Sequence, residues 1–307
     1  MERFIRVSQL WSWLPAFRAV GETQHLRRAA ESLHISPSAL SRSVGLLEDD
    51  VSASLFERVG RGLSLTRAGA TLLVATRDAM RMIDDALSAI DSGALRGEVK
   101  IAAPGTVTRM YLLPALQAVH REHPALFPIL EVRPQAELAG RLLRGELDLA
   151  LSTEPVGDPA LSSTAIGRYS SGVYCGQGHP LFSAVDITLD TLTDHPFVAP
   201  PADARGYPRE GWPVELPRRV EIQAADLQVG VEVCRGGTHL AVLPDRIAQV
   251  EIDRGTLRRI DLDVVPPTPF FATHRPSLGA KGPAEVLISA VLAAAETDAI
   301  SPLPRHE

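Results

Sequence analysis

The sequence predicts an α/β protein whose first segment is all-α. Three observations carry that prediction. Residues 8–65 read as short helices divided by polar turns, and residues 66–91 form one long helical pattern. From Gly97 onward, apolar strand-like runs alternate with amphipathic helices, the signature of layered α/β structure. At 307 residues, the chain is long enough for two or three compact units.

Composition narrows the class further. Apolar residues make up 45% of the chain and charged residues 22%, values suited to a soluble protein with real cores. No apolar run reaches membrane-spanning length, and the N-terminus leads into no secretory h-region, so a cytoplasmic location is expected. Cys175 and Cys234 have neither metal-ligand spacing nor a CxxC arrangement, and read as buried free thiols. The nine histidines form no ligand cluster; no metal and no cofactor are expected. The net charge of −6 argues against a nucleic-acid partner, yet residues 1–75 hold a local balance of +2. Affinity follows the charge of the docking face rather than the chain total.

The first segment carries the pieces of a winged helix-turn-helix. Trp13, Leu14, Phe17 and Val20 give one helical stripe, with Pro15 tolerated in the first turn. A second helix runs through Arg27–Leu33, where paired alanines admit a close neighbour. His34-Ile35-Ser36-Pro37 then makes a tight turn, with Ile35 as its apolar anchor, Ser36 as N-cap and Pro37 as first helical residue. The third helix, Pro37 to about Asp49, sets Leu40, Val44 and Leu47 on its core face. Ser38, Ser41, Arg42 and Gly45 fall on the opposite face. Small hydroxyls, one forked cation and a glycine suit entry into a major groove, whereas an ordinary solvated face carries several Lys and Glu. Leu55–Val59 and Gly62–Thr66 flank Gly60-Arg61-Gly62, which reads as a hairpin with Arg61 at its tip, able to reach a backbone or minor groove.

Residues 26–42 (LRRAAESLHISPSALSR), then Leu46-Leu47-Glu48, Leu55–Arg58 and Leu65–Gly69, together resemble the N-terminal signature of LysR-type transcriptional regulators. The resemblance implies a DNA-reading third helix, a wing and a dimerising fourth helix. On it, Ser36, Pro37, Ser38, Ser41, Arg42 and Arg61 match DNA-contacting positions. The chain departs from the pattern at Pro37-Ser38, where many members have Gln-Pro, at His25 in place of a serine cap, and at Ser52 in place of glycine. The missing amide bears on which sequence is read.

The linker helix over 66–91 starts at Thr66, a plausible cap. Leu72, Thr76, Ala79, Ile83, Ala86 and Ile90 make a coiled-coil stripe, with Leu73, Met80 and Leu87 alongside. One helix cannot bury it alone, so it packs either on its own domain or on a second subunit. A twofold dimer would present two reading helices to a pseudo-palindrome.

Beyond Gly97, Leu142–Ala150, Gly178-His179-Pro180-Leu181 and Gly236–Pro244 resemble segments of the LysR sensor domain. They imply a periplasmic-binding-protein-like fold: one lobe from 98–170 and 266–300, another from 171–265, with crossovers near Arg168–Val173 and Asp261–Phe271. An effector, an organic acid or an aromatic, would bind between the lobes, beyond the carboxyl ends of the strands. That logic places Thr106, Thr108, Arg133, Gln135, Pro200, Asp203 and Gln223 around the cleft. Only the threonines stand on a position the family commonly uses, and helix capping is the other reading of both. Arg133 and Arg205 are candidate carboxylate partners, though an exposed arginine more commonly pairs within its own chain. The partners implied are double-stranded DNA, a small-molecule effector, further copies of the chain in a homodimer or homotetramer, and RNA polymerase; no membrane is implied. The rivals are a solute-binding protein, which needs an export signal and no helix-turn-helix, and an enzyme, for which the chain offers no GxSxG, P-loop or dinucleotide motif.

Overall fold

The structure, a computed structural model, describes residues 2–59, 62–91, 95–203, 205–276 and 282–299. The chain divides into two compact units, one built by the elements through residue 91 and the other by those from residue 95 on.

The N-terminal unit opens with a helix outside the sequence expectation, α1 (Glu2–Trp11). Among its described side chains, Leu10 packs on the core while Val7 and Trp11 stay exposed. Next come α2 (Leu14–Thr23), α3 (Leu26–Ser32) and α4 (Pro37–Val51). Leu14, Phe17 and Val20 are buried, as are Ala29, Ala30, Leu40, Val44 and Leu47. Two clusters result: one joins Val20, Ala29, Ala30, Leu40 and Val44, the other Leu14, Phe17, Leu47, Leu55 and Leu73. Ile35 corrects the expectation of an apolar anchor, because it is 40% exposed. The turn is held by backbone instead: the Ile35 N–H donates to the Ala30 carbonyl at 3.1 Å, and His34 takes a left-handed φ of 55°.

Strands β1 (Phe56–Val59) and β2 (Gly62–Leu65) pair antiparallel, with Phe56 opposite Leu65 and Val59 opposite Gly62. Helix α5 (Arg67–Asp91) follows. Thr66 ties its start down: Oγ1 donates to the Ser54 carbonyl at 2.7 Å and accepts from the Gly69 N–H at 3.0 Å. The helix runs so close to the strand entrance that a Cβ on Gly69 would lie 2.0 Å from the Leu55 carbonyl oxygen. The predicted stripe divides along its length. Leu72, Leu73, Thr76 and Met80 pack within or against the unit's own core, whereas Met82, Ile83 and Leu87 are exposed. The side chains of Ala86 and Ile90 lie outside the described residues.

The C-terminal unit holds two five-stranded sheets. The first uses β3 (Arg96–Ala102), β4 (Ala125–Glu131), β5 (Leu149–Ser152), β6 (Ser162–Tyr169) and β12 (Thr268–His274), ordered β4-β3-β5-β12-β6. The second uses β7 (Ser171–Gly176), β8 (Pro196–Ala199), β9 (Arg219–Gln223), β10 (Leu240–Pro244) and β11 (Leu257–Ile260), ordered β11-β7-β10-β8-β9. β5, β7 and β10 are buried along their whole length, which fits short apolar runs covered on both faces. The chain passes from β6 to β7 through Ser170 alone and returns between β11 and β12 through residues 261–267.

Helices cover both sheets. The first carries a helical turn α6 (Gly105–Val107), a π-helical turn at Thr108–Leu112, α7 (Leu113–Glu122), α8 (Gln135–Leu143) and, after the second lobe, α12 (Pro283–Ala299). The second carries α9 (Leu189–Thr193), α10 (Leu227–Arg235) and α11 (Asp245–Asp253). One buried cluster is continuous across the two sheets, and Tyr111 stacks on Phe270 at 4.6 Å within it. Cys175 and Cys234 are buried and unbridged, and desolvation pushes their thiols up to about 11 and about 12.

Candidate nucleic-acid interface and ligand site

The reading helix is positioned from both ends. At its start, Ser36 Oγ accepts from the Ala39 N–H at 3.2 Å and lies 3.1 Å from Ser38 Oγ, with Pro37 in the first turn. Ser36 thus fixes where α4 begins, and its N-terminal turn carries the loose N–H groups and partial positive charge that attract phosphate. At its end, Glu48 accepts from the amides of Leu55 and Phe56, which fixes the hairpin against the helix. Between these points Ser38, Ser41 and Arg42 are exposed, and a Cβ on Gly45 would meet nothing within 4 Å. Among the described residues, Arg42 has no carboxylate partner. This face therefore offers hydroxyls and a guanidinium over an unobstructed surface. Arg61 lies outside the described residues. His25 is the N-cap residue of α3 and makes no side-chain cap bond.

In the C-terminal unit the residues predicted for the cleft fall into separate groups. Thr106 lies in α6 and Thr108 opens the π-helical turn, both half-buried. The N-cap position there is Pro104, with no side-chain cap bond, so the threonine hydroxyls are not used for capping. Next to them Arg109 Nη1 donates to Gln228 Oε1 at 2.7 Å, linking this helix to α10 of the second lobe. π-Helical turns are rare and often mark functional positions.

A second group gathers around Glu154, just beyond β5. Gln135 Nε2 donates to the Glu154 carbonyl at 3.2 Å, and Arg205 from the second lobe pairs with the Glu154 carboxylate. Asp203 accepts from the Arg205 N–H at 2.8 Å, the Tyr207 N–H at 2.9 Å and Arg205 Nε at 3.1 Å. The Tyr207 amide, with the Arg205 amide and guanidinium, holds the Asp203 carboxyl below its ordinary range against the effect of burial. Arg133 pairs with Glu131 at 2.7 Å, and that bond holds the Glu131 carboxyl low. Both candidate arginines thus already have a carboxylate of their own chain. Pro200 and Gln223 form a third group, in the wall of a cavity in the second lobe. Sequence reasoning missed Glu154, Arg109 and Gln228. Strand-end logic applied to β5 would have found Glu154; the other two meet through a contact 119 residues apart in sequence.

Among the described residues, no group of His, Cys, Asp and Glu could hold a metal ion, and no helix is long and apolar enough to cross a membrane.

Two family models match. Residues 11–70 fit "Bacterial regulatory helix-turn-helix protein, lysR family", and residues 92–296 fit "LysR substrate binding domain". The RuBisCO operon transcriptional regulator of Allochromatium vinosum is 29% identical over 262 residues, covering 82% of this chain and 84% of that protein. The regulator IlvY of Escherichia coli K12 is 33% identical over 144 residues, 46% of this chain and 48% of its own length. Full-length LysG of Corynebacterium glutamicum, solved with bound effector Arg, shares the fold with a TM-score of 0.66 at 21% identity, over 93% of this chain and 97% of that one. ArgP of Mycobacterium tuberculosis has the same TM-score and identity, over 92% and 96%. The chain belongs to the LysR family of transcriptional regulators, DNA-binding proteins with an effector-binding domain rather than enzymes.

Proposed function

We propose that this regulator reads DNA through the exposed face of α4, with Ser38, Ser41 and Arg42 at base edges or phosphates and Ser36 and Pro37 setting the helix start. The observation that carries this reading is a capped helix whose outer face exposes Ser38, Ser41 and Arg42 around Gly45, with Asp49 as its one carboxylate. Arg61, which lies between the two wing strands in the sequence, supplies a backbone or minor-groove contact. Selection from a random DNA library with the full chain should enrich one pseudo-palindromic sequence; a pool that stays random would overturn it.

The exposed Met82, Ile83 and Leu87 on α5 support pairing with a second copy, giving a homodimer and, from two of these, a homotetramer. Light scattering on Ile83→Lys should show a smaller species than the parent. The effector, an organic acid or an aromatic, binds between the lobes against Thr106 and Thr108, with Gln135 and Asp203 at the Glu154–Arg205 contact. Its binding favours one lobe arrangement and so alters how the two reading helices are spaced, a population shift that requires different affinity for the two states. The protein acts in the cytoplasm, where DNA, and RNA polymerase as a further partner, are accessible.

A further inference from the structure

Three arginines follow the carboxyl ends of strands in the C-terminal unit: Arg109 after β3, Arg133 after β4 and Arg205 after β8. They are not equivalent. Arg133 is paired with Glu131, and Arg205 with Glu154 and Asp203. Arg109 makes no ion pair among the described residues; its Nη1 donates to the neutral side-chain oxygen of Gln228 at 2.7 Å. That bond runs from the first lobe to the second and both residues are exposed, so the guanidinium lies between the lobes and stays open to solvent.

The surroundings suit an incoming anion. Thr106 and Thr108, half-buried, belong to the same stretch of chain as Arg109, and a Cβ on Gly105 would meet nothing within 4 Å. The acids near Gln228 on the second lobe are already engaged. Asp226 caps α10, accepting from the amides of Gln228 and Val229 at 2.7 and 3.3 Å, and Glu232 pairs with Arg235.

A carboxylate entering between the lobes therefore meets cations at different cost. At Arg133 or Arg205 it must displace a carboxylate of the chain, which exchanges like for like and strands the displaced anion. At Arg109 it displaces only an amide oxygen, and the new bond carries charge on both sides, roughly twice the strength of a bond between neutral groups. Gln228, being exposed, passes its oxygen to water at little cost.

We propose that Arg109 is the carboxylate-binding group of the effector cleft, and that the effector is accordingly an organic acid whose carboxylate takes the place of the Gln228 oxygen. The proposal rests on the reading given above, in which the effector lies against Thr106 and Thr108. It also supplies the link to lobe movement, because the ligand breaks a direct hydrogen bond between the lobes as it binds.

Thermal-shift measurement and calorimetric titration of the full chain with benzoate, phenylacetate and isobutyrate, each beside its primary amide, test the proposal. At least one acid should bind, roughly tenfold more tightly than its amide. Arg109→Gln should erase that preference while leaving the affinity for the amide unchanged, and Arg109→Lys should keep part of it, since the charge remains without the fork. The exposure of Arg109 means that neither substitution disturbs a buried group. Absence of binding by all three acids at millimolar concentration would overturn the proposal, as would equal affinity for acid and amide. A preference that survives Arg109→Gln while Thr106→Val weakens binding would overturn the role of Arg109 and leave the cleft in place. Binding that neither substitution changes would overturn the cleft reading as well.

Discussion

The carboxylate of Glu48, at the end of the reading helix, accepts from the amide of Leu55 at 2.6 Å and from that of Phe56 at 3.1 Å. One side chain therefore satisfies the first two amides of the wing and sets its angle to the helix. Hydrogen bonds to a charged acceptor are stronger than neutral ones, and here the donors belong to a partly buried backbone. Glu48→Ala should lower the stability of the N-terminal unit by about 1–3 kcal/mol, read as a drop in its melting temperature. Glu48→Gln should recover part of that loss.

Arg42 has no such structural duty. It is exposed and makes no ion pair among the described residues. Arg42→Ala should leave thermal stability unchanged while costing about 1–3 kcal/mol of affinity at a selected DNA site. A gel-shift titration that shows no loss would assign base reading to the serines alone.

Ser52 closes α4 in the left-handed region, at φ 52° and ψ 38°, with its N–H bonded to the Asp49 carbonyl. Side chains with a Cβ are strained in that conformation, and glycine is not. Ser52→Gly should raise stability by roughly 0.5–1 kcal/mol, after allowing for the greater freedom glycine gives the unfolded chain. Chemical denaturation of both proteins measures it directly.

His179 gives the second lobe a pH dependence. Its Nδ1 accepts from the Leu181 N–H at 3.1 Å, so the ring is neutral in the fold. Burial, with His195 and His239 nearby, pushes its pKa down to about 4 from an ordinary value near 6.5. The unfolded chain therefore takes up this proton first as the pH falls. The stabilisation is complete above about pH 6.5 and is lost between there and about pH 4, by up to about 3 kcal/mol. His179→Asn keeps an acceptor near the Nδ1 position and should flatten the slope of stability against pH across that window.

Thr106→Val should blunt the response of DNA binding to an effector without changing affinity in its absence. The hydroxyl is not used to cap a helix, and valine keeps the branched shape. If the variant binds DNA less well before any effector is added, Thr106 serves the fold instead.

What was legible in the sequence was what repeats along it. The Leu40, Val44 and Leu47 face, the capped turn at Ser36-Pro37 and the alternation of apolar runs are local patterns, and each corresponds to a buried face, a cap or a strand. Glu154 pairs with Arg205 across 51 residues, and Arg218 lies over the Phe197 ring of β8 as well as the Trp212 ring of its own loop; no spacing rule encodes either arrangement. The cleft residues inferred from strand ends were located one strand at a time. That procedure could not separate Pro200 and Gln223, which line the lobe's own cavity, from Gln135 and Asp203, which meet at Glu154.

The two passages between the sheets are unequal: a single residue, Ser170, on one side and the stretch 261–267 on the other. The Ser170 carbonyl also accepts from the Asp245 N–H at 3.0 Å, and Asp245 Oδ1 accepts from the buried Tyr174 hydroxyl at 2.6 Å. The longer return is itself held, since Leu262, Val264 and Val265 pack against the second lobe's core. The shorter passage leaves Ser170 as the one residue about which a change in lobe angle would have to turn on that side.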